Sequence, residues 1–278
     1  MCSEMCCLVK CFNFYDKIIY KEYDMTSNQY LLGIINKYTS SQNSDIIKIS
    51  LSTLLYDVQL WANGYLLDII TSGSRAKGTA IKGSSDIDFL ISLSSSTPNT
   101  LADIFNSLYN WLIAKGYQVR KQNVSLGIAY NGYNIDLVPA RKYQGNTNYH
   151  SLYCRKRNSW MQTNIQQHIN YVVNSGRINE IKIIKIWAKL NNLDFPSIYL
   201  EHVVIEALKG KYKGSDYLEG NVVSVLQFII NNLLTTRIVD ISNTNNIISD
   251  DLTYKEKQLI VSQARNSLNQ QYWRDVVW

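Results

Sequence analysis

Three aspartates carry the chemistry that this sequence offers. Asp86 and Asp88 flank Ile87 at the mouth of the apolar run FLISL. In an extended strand, residues two apart share a face. The two carboxylates would therefore stand side by side, with Ile87 turned to the core. Adjacent carboxylates repel unless a proton or a cation lies between them. Mg²⁺, which takes carboxylate, water and phosphate oxygens, suits that position. Just upstream, the Gly73-Ser74 turn offers backbone N–H groups and a hydroxyl to phosphate oxygens. A third aspartate, Asp136, lies between Ile135 and Leu137, where a fully solvated strand is not expected. Its alternative is a sheet-surface carboxylate paired with a neighbouring cation, and that of Asp86 and Asp88 is a cap or loop role.

Three convergent aspartates suit a two-metal transfer of a nucleotide from a triphosphate to a hydroxyl. Asp86 and Asp88 would touch both ions. Asp136 would touch the ion beside the nucleophile and help take the hydroxyl proton. The cofactor expected is a pair of Mg²⁺ ions, with Mn²⁺ as a substitute.

The elements that must hold these groups follow from periodicity. Tyr30, Leu31, Ile34, Ile35 and Tyr38 recur at helical spacing. A second helix is expected from an Asp45 cap to Asn63-Gly64, with Ile46, Ile49, Leu54, Val58 and Trp61 as its apolar stripe. Leu66 to Thr71 reads as a strand, then the Gly-Ser turn, a short helix over Arg75 to Thr79, and the strand of the aspartates. A helix spans Leu101 to Lys115. Asn131-Gly132 joins two strand-like runs, the strongest short hairpin signal. Asp136 is on the second arm, which Pro139 is expected to end. Arg141 to Asn158 is basic and aromatic and reads as loop. Five helices are expected beyond Thr163, over 166–174, 178–191, 197–210, 221–234 and 254–271.

The chain has 278 residues, 46% of them hydrophobic, and a net charge of +6. That is enough for one large domain or two intimate lobes. The charge suits nucleoside triphosphates and falls short of a dedicated duplex binder. No apolar run reaches the ~20 residues of a membrane span, so a soluble, cytoplasmic protein is expected. Four of five cysteines, Cys2, Cys6, Cys7 and Cys11, lie in an N-terminal head without metal-ligand spacing. Residues 1–25 read as an extension, disordered or spurious, with a plausible start at Met25.

The wording GSRAKGTAIKGSSDIDFLISL, with NIDLVPA later, resembles the polymerase-β-like nucleotidyltransferases. Within them it is similar to the CD-NTases, bacterial synthases of cyclic oligonucleotides related to cyclic GMP-AMP synthase and oligoadenylate synthase. The resemblance implies an α+β, bilobal fold: a catalytic core over 26–140 and a helical lobe over 141–278 that completes the cleft. EIKIIKIWAKLNNLDFPSIYLEHVVIEALKG resembles the helical segment that grips the triphosphate, which implies phosphate contacts for Lys185 and Ser197. Read by themselves, Lys182, Lys185 and Lys189 form a basic helix face of the kind usually solvated, and Ser197 is an ordinary cap after Pro196. RIVDISNTNNII is similar to the family's Asp-Pro…Asn-Asn segment, with Ile241 where proline is usual.

The function implied is synthesis of a cyclic di- or trinucleotide messenger in bacterial antiphage signalling. Substrates would be ATP or GTP, with pyrimidine triphosphates open. A monomer is expected, with a downstream effector that meets only the product. RNA 3′-end addition of the CCA-adding kind, a nucleotide-transferring toxin and an inactive nucleotide-binding scaffold are the alternatives. Arg155, Lys156, Arg157, Tyr149, Tyr153 and Trp160 form a basic-aromatic patch suited to an acceptor nucleotide or simply to solvent. His150, His168 and His202 are scattered and read as structural.

Overall fold

The structure, a computed structural model, describes residues 25–39, 44–83 and 86–278. The expectation for the cysteine-rich head lies outside what is described, and Asp45, the expected cap, instead lies within a helix that already includes Ser44. Among the described residues no helix is long and apolar enough to cross a membrane.

The described residues open with α1 (Ser27–Tyr38), started by a Thr26/Gln29 capping box. The next helical stretch divides at Leu51 into α2 (Ser44–Ser50) and α3 (Ser52–Ala62). That division corrects the expected stripe. Ile46 and Ile49 are exposed, whereas Ile47 and Leu51 join Leu54 and Val58 in the core. Then come β1 (Leu66–Thr71), the single turn α4 (Gly73–Ala76), β2 (Ile87–Leu93) and α5 (Leu101–Ala114). Next are β3 (Val119–Lys121), β4 (Leu126–Tyr130) and β5 (Tyr133–Lys142). The expected hairpin turn is present, with Asn131 and Gly132 both at positive φ between the paired Tyr130 and Tyr133.

Pro139 does not end β5, which runs on to Lys142. It falls between the last pair with β4 (Leu126 with Leu137) and the first with the following strand (Leu152 with Ala140), at a handover between neighbours. The expected loop over 141–158 is largely a second hairpin, β6 (His150–Cys154) and β7 (Ser159–Thr163). Its inward residues His150, Leu152 and Cys154 alternate with partly exposed Ser151 and Tyr153. The basic tip Arg155–Arg157 hides that alternation in the sequence. The strands make one sheet in the order β1-β2-β5-β4-β3, extended by β6 on β5 and β7 on β6. All pairs are antiparallel except β2 with β5.

The helical half comprises α6 (Ile165–Ser175), α7 (Ile178–Leu190), α8 (Ser197–Ala207), α9 (Leu218–Asn232) and α10 (Tyr254–Leu268). A two-stranded ribbon absent from the sequence reading, β8 (Val239–Asp240) and β9 (Asn243–Ile247), precedes α10. One apolar cluster joins α2, α3, α5 and the sheet; a larger one joins α7 to α10. Helix α1 contributes Leu31, Ile34 and Ile35 to the second, although it precedes the sheet in the chain. Tyr30 fixes it there, donating to the Val277 carbonyl at 2.8 Å.

The ribbon is tied to α6 through Asp240. His168 Nε2 lies 2.8 Å from Asp240 Oδ1 and 2.9 Å from Ser242 Oγ. The Ser242 N–H and hydroxyl both donate to the same oxygen, and Asn246 donates to the other. Serine and aspartate sit on one imidazole nitrogen, whereas a nucleophilic relay needs both, so the group is a structural lock. Burial works to raise the Asp240 pKa, but the bonds from His168 and Ser242 outweigh it and bring the value to about 2. A depressed carboxylate stabilises the fold above its unfolded pKa near 4 and loses that contribution as pH falls toward 2. Asp240→Asn is therefore expected to cost about 1–3 kcal/mol at neutral pH, the scale of charge-assisted bonds lost from a buried site. The gap between variant and parent denaturation midpoints should narrow below pH ~4.

Candidate active site

Strands β2 and β5 run parallel with Asp88 opposite Asp136. The alternation that buries Ile87 and Phe89 in the core turns Asp86 and Asp88 to the other face. Asp136 stands on that same face of the neighbouring strand, flanked by buried Ile135 and Leu137.

The turn after β1 closes over this pair. The Ser72 N–H donates to the Asp88 carbonyl at 2.8 Å. Gly73 follows at φ +62°, and a Cβ built there would lie 1.7 Å from Asp88 Oδ2. Only glycine lets the backbone lie against that carboxylate. The Ser74 hydroxyl, at the start of α4, has no partner among the described residues.

Asp136 is held from its other side. Gln122 Nε2 donates to its Oδ1 at 2.9 Å, and the Ser125 hydroxyl bridges Gln122 Oε1 and Asp136 Oδ2. Gly127 pairs opposite Asp136, and a side chain there would press on both Gln122 and Asp136. Arg155 braces the same segment by donating to the Gln122 carbonyl at 3.0 Å. Sequence reasoning missed Gln122 and Gly127. A glycine in a strand interior was the one signal available.

Burial raises the Asp88 pKa to about 6, with the charges of Asp136 and Asp86 adding to it and Lys77 and Lys185 opposing. Burial, then Asp86, raises that of Asp136. Carboxylates pressed this way toward protonation form the donor set a hard divalent cation relieves. Among the described residues no group of three or more acidic, His or Cys side chains is gathered closely enough to hold an ion by itself. An ion on these aspartates would draw its other oxygens from water and substrate, as Mg²⁺ commonly does.

The helical half contributes charge close to Asp88. Lys185 on α7 is buried and donates to Glu201 Oε1 at 2.7 Å and to Thr79 Oγ1 at 3.0 Å. Lys77 donates to Glu201 Oε2 at 2.7 Å, and Thr79 to Oε1 at 3.0 Å. Glu201 on α8 thus bolts the loop after α4 to the helical half. Lys182 and Lys189, on the same face of α7, reach Thr39 and the Lys82 carbonyl, so this face is packed against the chain instead of solvated. Ser197 is the exposed first residue of α8, one turn before Glu201 on the same face. Pro196 occupies the cap position, and no side-chain cap bond forms there.

The basic-aromatic patch is spread out. Arg155 supports Gln122, Tyr153 donates to Asn158 and Tyr149 to Gln167, while Trp160 stays exposed.

This arrangement of a turn against Asp88, with Asp136 level on the parallel neighbour and lysines close by, agrees with the comparison to known proteins. Residues 25–175 match the Second Messenger Oligonucleotide or Dinucleotide Synthetase domain. The chain belongs to this family. Among curated proteins it is similar to a cyclic AMP-AMP-AMP synthase of Escherichia coli (strain MS 115-1), 26% identical over 199 residues. The match covers 63% of this chain and 61% of that protein, so the chain spans about three fifths of the relative's length. Solved structures share the synthetase fold. A complex of CdnC with HORMA-deltaN from E. coli MS115-1 gives a TM-score of 0.69 at 18% identity, covering 86% of this chain and 88% of that one. CdnC with ATP gives 0.67 at 19%, covering 87% and 90%. The CD-NTase CdnG of Bradyrhizobium diazoefficiens with GTP gives 0.65 at 9%, covering 88% and 92%. The polymerase-β-like α+β architecture expected of a synthetase is thereby shown, and it extends well beyond the matched domain.

Proposed function

We propose that this synthetase joins nucleoside triphosphates into a cyclic di- or trinucleotide at the Asp86, Asp88, Asp136 site. The observation that supports this most is Asp88 level with Asp136 on parallel strands, with Gly73 flush against Asp88. Two divalent ions held by Asp86 and Asp88, one shared with Asp136, would neutralise the triphosphate and favour the attacking alkoxide. Asp136, steadied by Gln122 and Ser125, is placed to accept the acceptor hydroxyl's proton. Ser74 and the N–H groups of the turn take phosphate oxygens, with Ser197 opposite them. Two of the three Lys185 hydrogens are engaged, and the third is available to phosphate.

ATP and GTP are the first substrates to test, given the relatives that carry them. Purified protein with Mg²⁺ and labelled triphosphates, singly and paired, should yield phosphatase-resistant products. Asp86→Ala combined with Asp88→Ala should remove them while leaving the thermal midpoint close to the parent's. Products that appear only with added tRNA would replace cyclisation by RNA extension. A fully active double variant would refute the site assignment itself.

A further inference from the structure

Behind β2, on the face opposite Asp88, a cavity of about 420 Å³ opens between the sheet and the helical half. Its size lies in the range of small-molecule sites. Ile87 and Phe89 of β2 and Ala76 of α4 form apolar lining. Three cations share the rim: Lys48, Arg75 and Lys182, with no acidic residue among the lining side chains. Arg75 Nε is buried and has no hydrogen-bond partner among the described residues. An orphaned guanidinium N–H is costly, and an acceptor that reached it would recover that cost. The one partner of Lys182 among the described residues is Thr39 Oγ1, at a long 3.4 Å. Its pKa is lowered by burial, the direction an arriving anion would reverse.

We propose that this cavity is a second ligand site, taking a small phosphomonoester with a planar body. The phosphate meets Arg75 and Lys182, and the body lies on the Phe89 side. A planar guanidinium and an ammonium lining one cavity suit a phosphate. The cavity's size, with Ile87 and Phe89 in its lining, suits a small molecule better than a polymer lying across the surface. Arg75 stands two residues from Gly73, on the single turn that closes over Asp88, so occupancy acts on the reaction from behind.

Calorimetric titration of the metal-free protein with phenyl phosphate and with AMP tests this. Saturable one-to-one binding is expected, with phenol silent. Arg75→Gln and Lys182→Gln should each weaken it about tenfold or more, the loss of one charge-assisted bond. Asp86→Asn with Asp88→Asn should leave it unchanged, which separates this site from the active site. Tighter AMP than phenyl phosphate would assign the cavity to nucleotides; equal binding would assign it to phosphomonoesters at large. If Arg75→Gln folds poorly, Lys48→Gln, on an exposed residue, gives the same reading. No saturable binding to the parent, or binding lost in the aspartate variant and kept in Arg75→Gln, would overturn the proposal.

Discussion

Replacing Gly73 by alanine should lower nucleotidyl transfer by at least about 10²–10³-fold, the scale for losing one preorganised electrostatic contact. The new Cβ would lie 1.7 Å from Asp88 Oδ2, well inside any tolerable contact. It would also occupy φ +62°, which costs an L-residue roughly 1–2 kcal/mol. Strand β2 cannot yield, because β1 and β5 pair with it on both edges. The turn is tied to Asp88 through Ser72 and to the helical half through Lys77 and Thr79. What gives way is the carboxylate itself, which must rotate off its position beside Asp136. Gly78→Ala is the matched control. Its φ is +72°, with nothing within 4 Å of the added carbon, so only backbone strain remains. Pyrophosphate release from Mg²⁺-ATP measures both. A Gly73 variant within tenfold of the parent would show that Asp88 is not needed where it stands.

Glu201→Ala should destabilise the fold by about 3–5 kcal/mol, the cost of stranding buried charge by removing its partner. Glu201 is 1% exposed, and Lys77 and Lys185 are 8% exposed each, so water cannot take over for the lost carboxylate. Burial works to raise the Glu201 pKa, but the two ammonium groups outweigh it and hold it below the usual carboxylate range. Burial in turn lowers the pKa of Lys185, with Glu201 opposing. The sign for Glu201 follows. Its contribution is complete above the unfolded glutamate pKa near 4.3 and is lost as pH falls through its lower folded value. Chemical denaturation at neutral pH measures the loss. A change below about 1 kcal/mol, the size of an exposed pair, would mean that the two lysines find solvent.

The shared face of the aspartates was legible because strand alternation is local, whereas the packing of Gly73 on Asp88 was not. Ile87 and Ile135 had to face the core, and that turned Asp88 and Asp136 the other way. The Asn131-Gly132 turn was legible for a similar reason, since two positive-φ positions suit those residues. Glu201 was not. Its partner Lys77 lies 124 positions away, and nothing periodic on α8 distinguishes it from other helix residues. Gln122 and Ser125 escaped because polar residues beside a short strand resemble loop. Hairpin β6–β7 was lost behind its charged tip, and α1 was assigned by chain order when its apolar stripe chose the helical half. In each case a distant contact decided what neighbouring residues left open.

The level pairing of Asp88 with Asp136 has a consequence for how the molecule comes to exist. Parallel neighbours cannot be joined by a tight turn, and the connection that brings the two carboxylates together runs through α5, β3 and β4. A slip of one position would set Ile135 or Leu137 beside Asp88 and drive Asp136 into the apolar layer. Charge at the centre of the sheet therefore acts as a proofreader of strand alignment. The same cost of burying a carboxylate that raises the Asp88 pKa in the native sheet penalises every misaligned chain on the way to it.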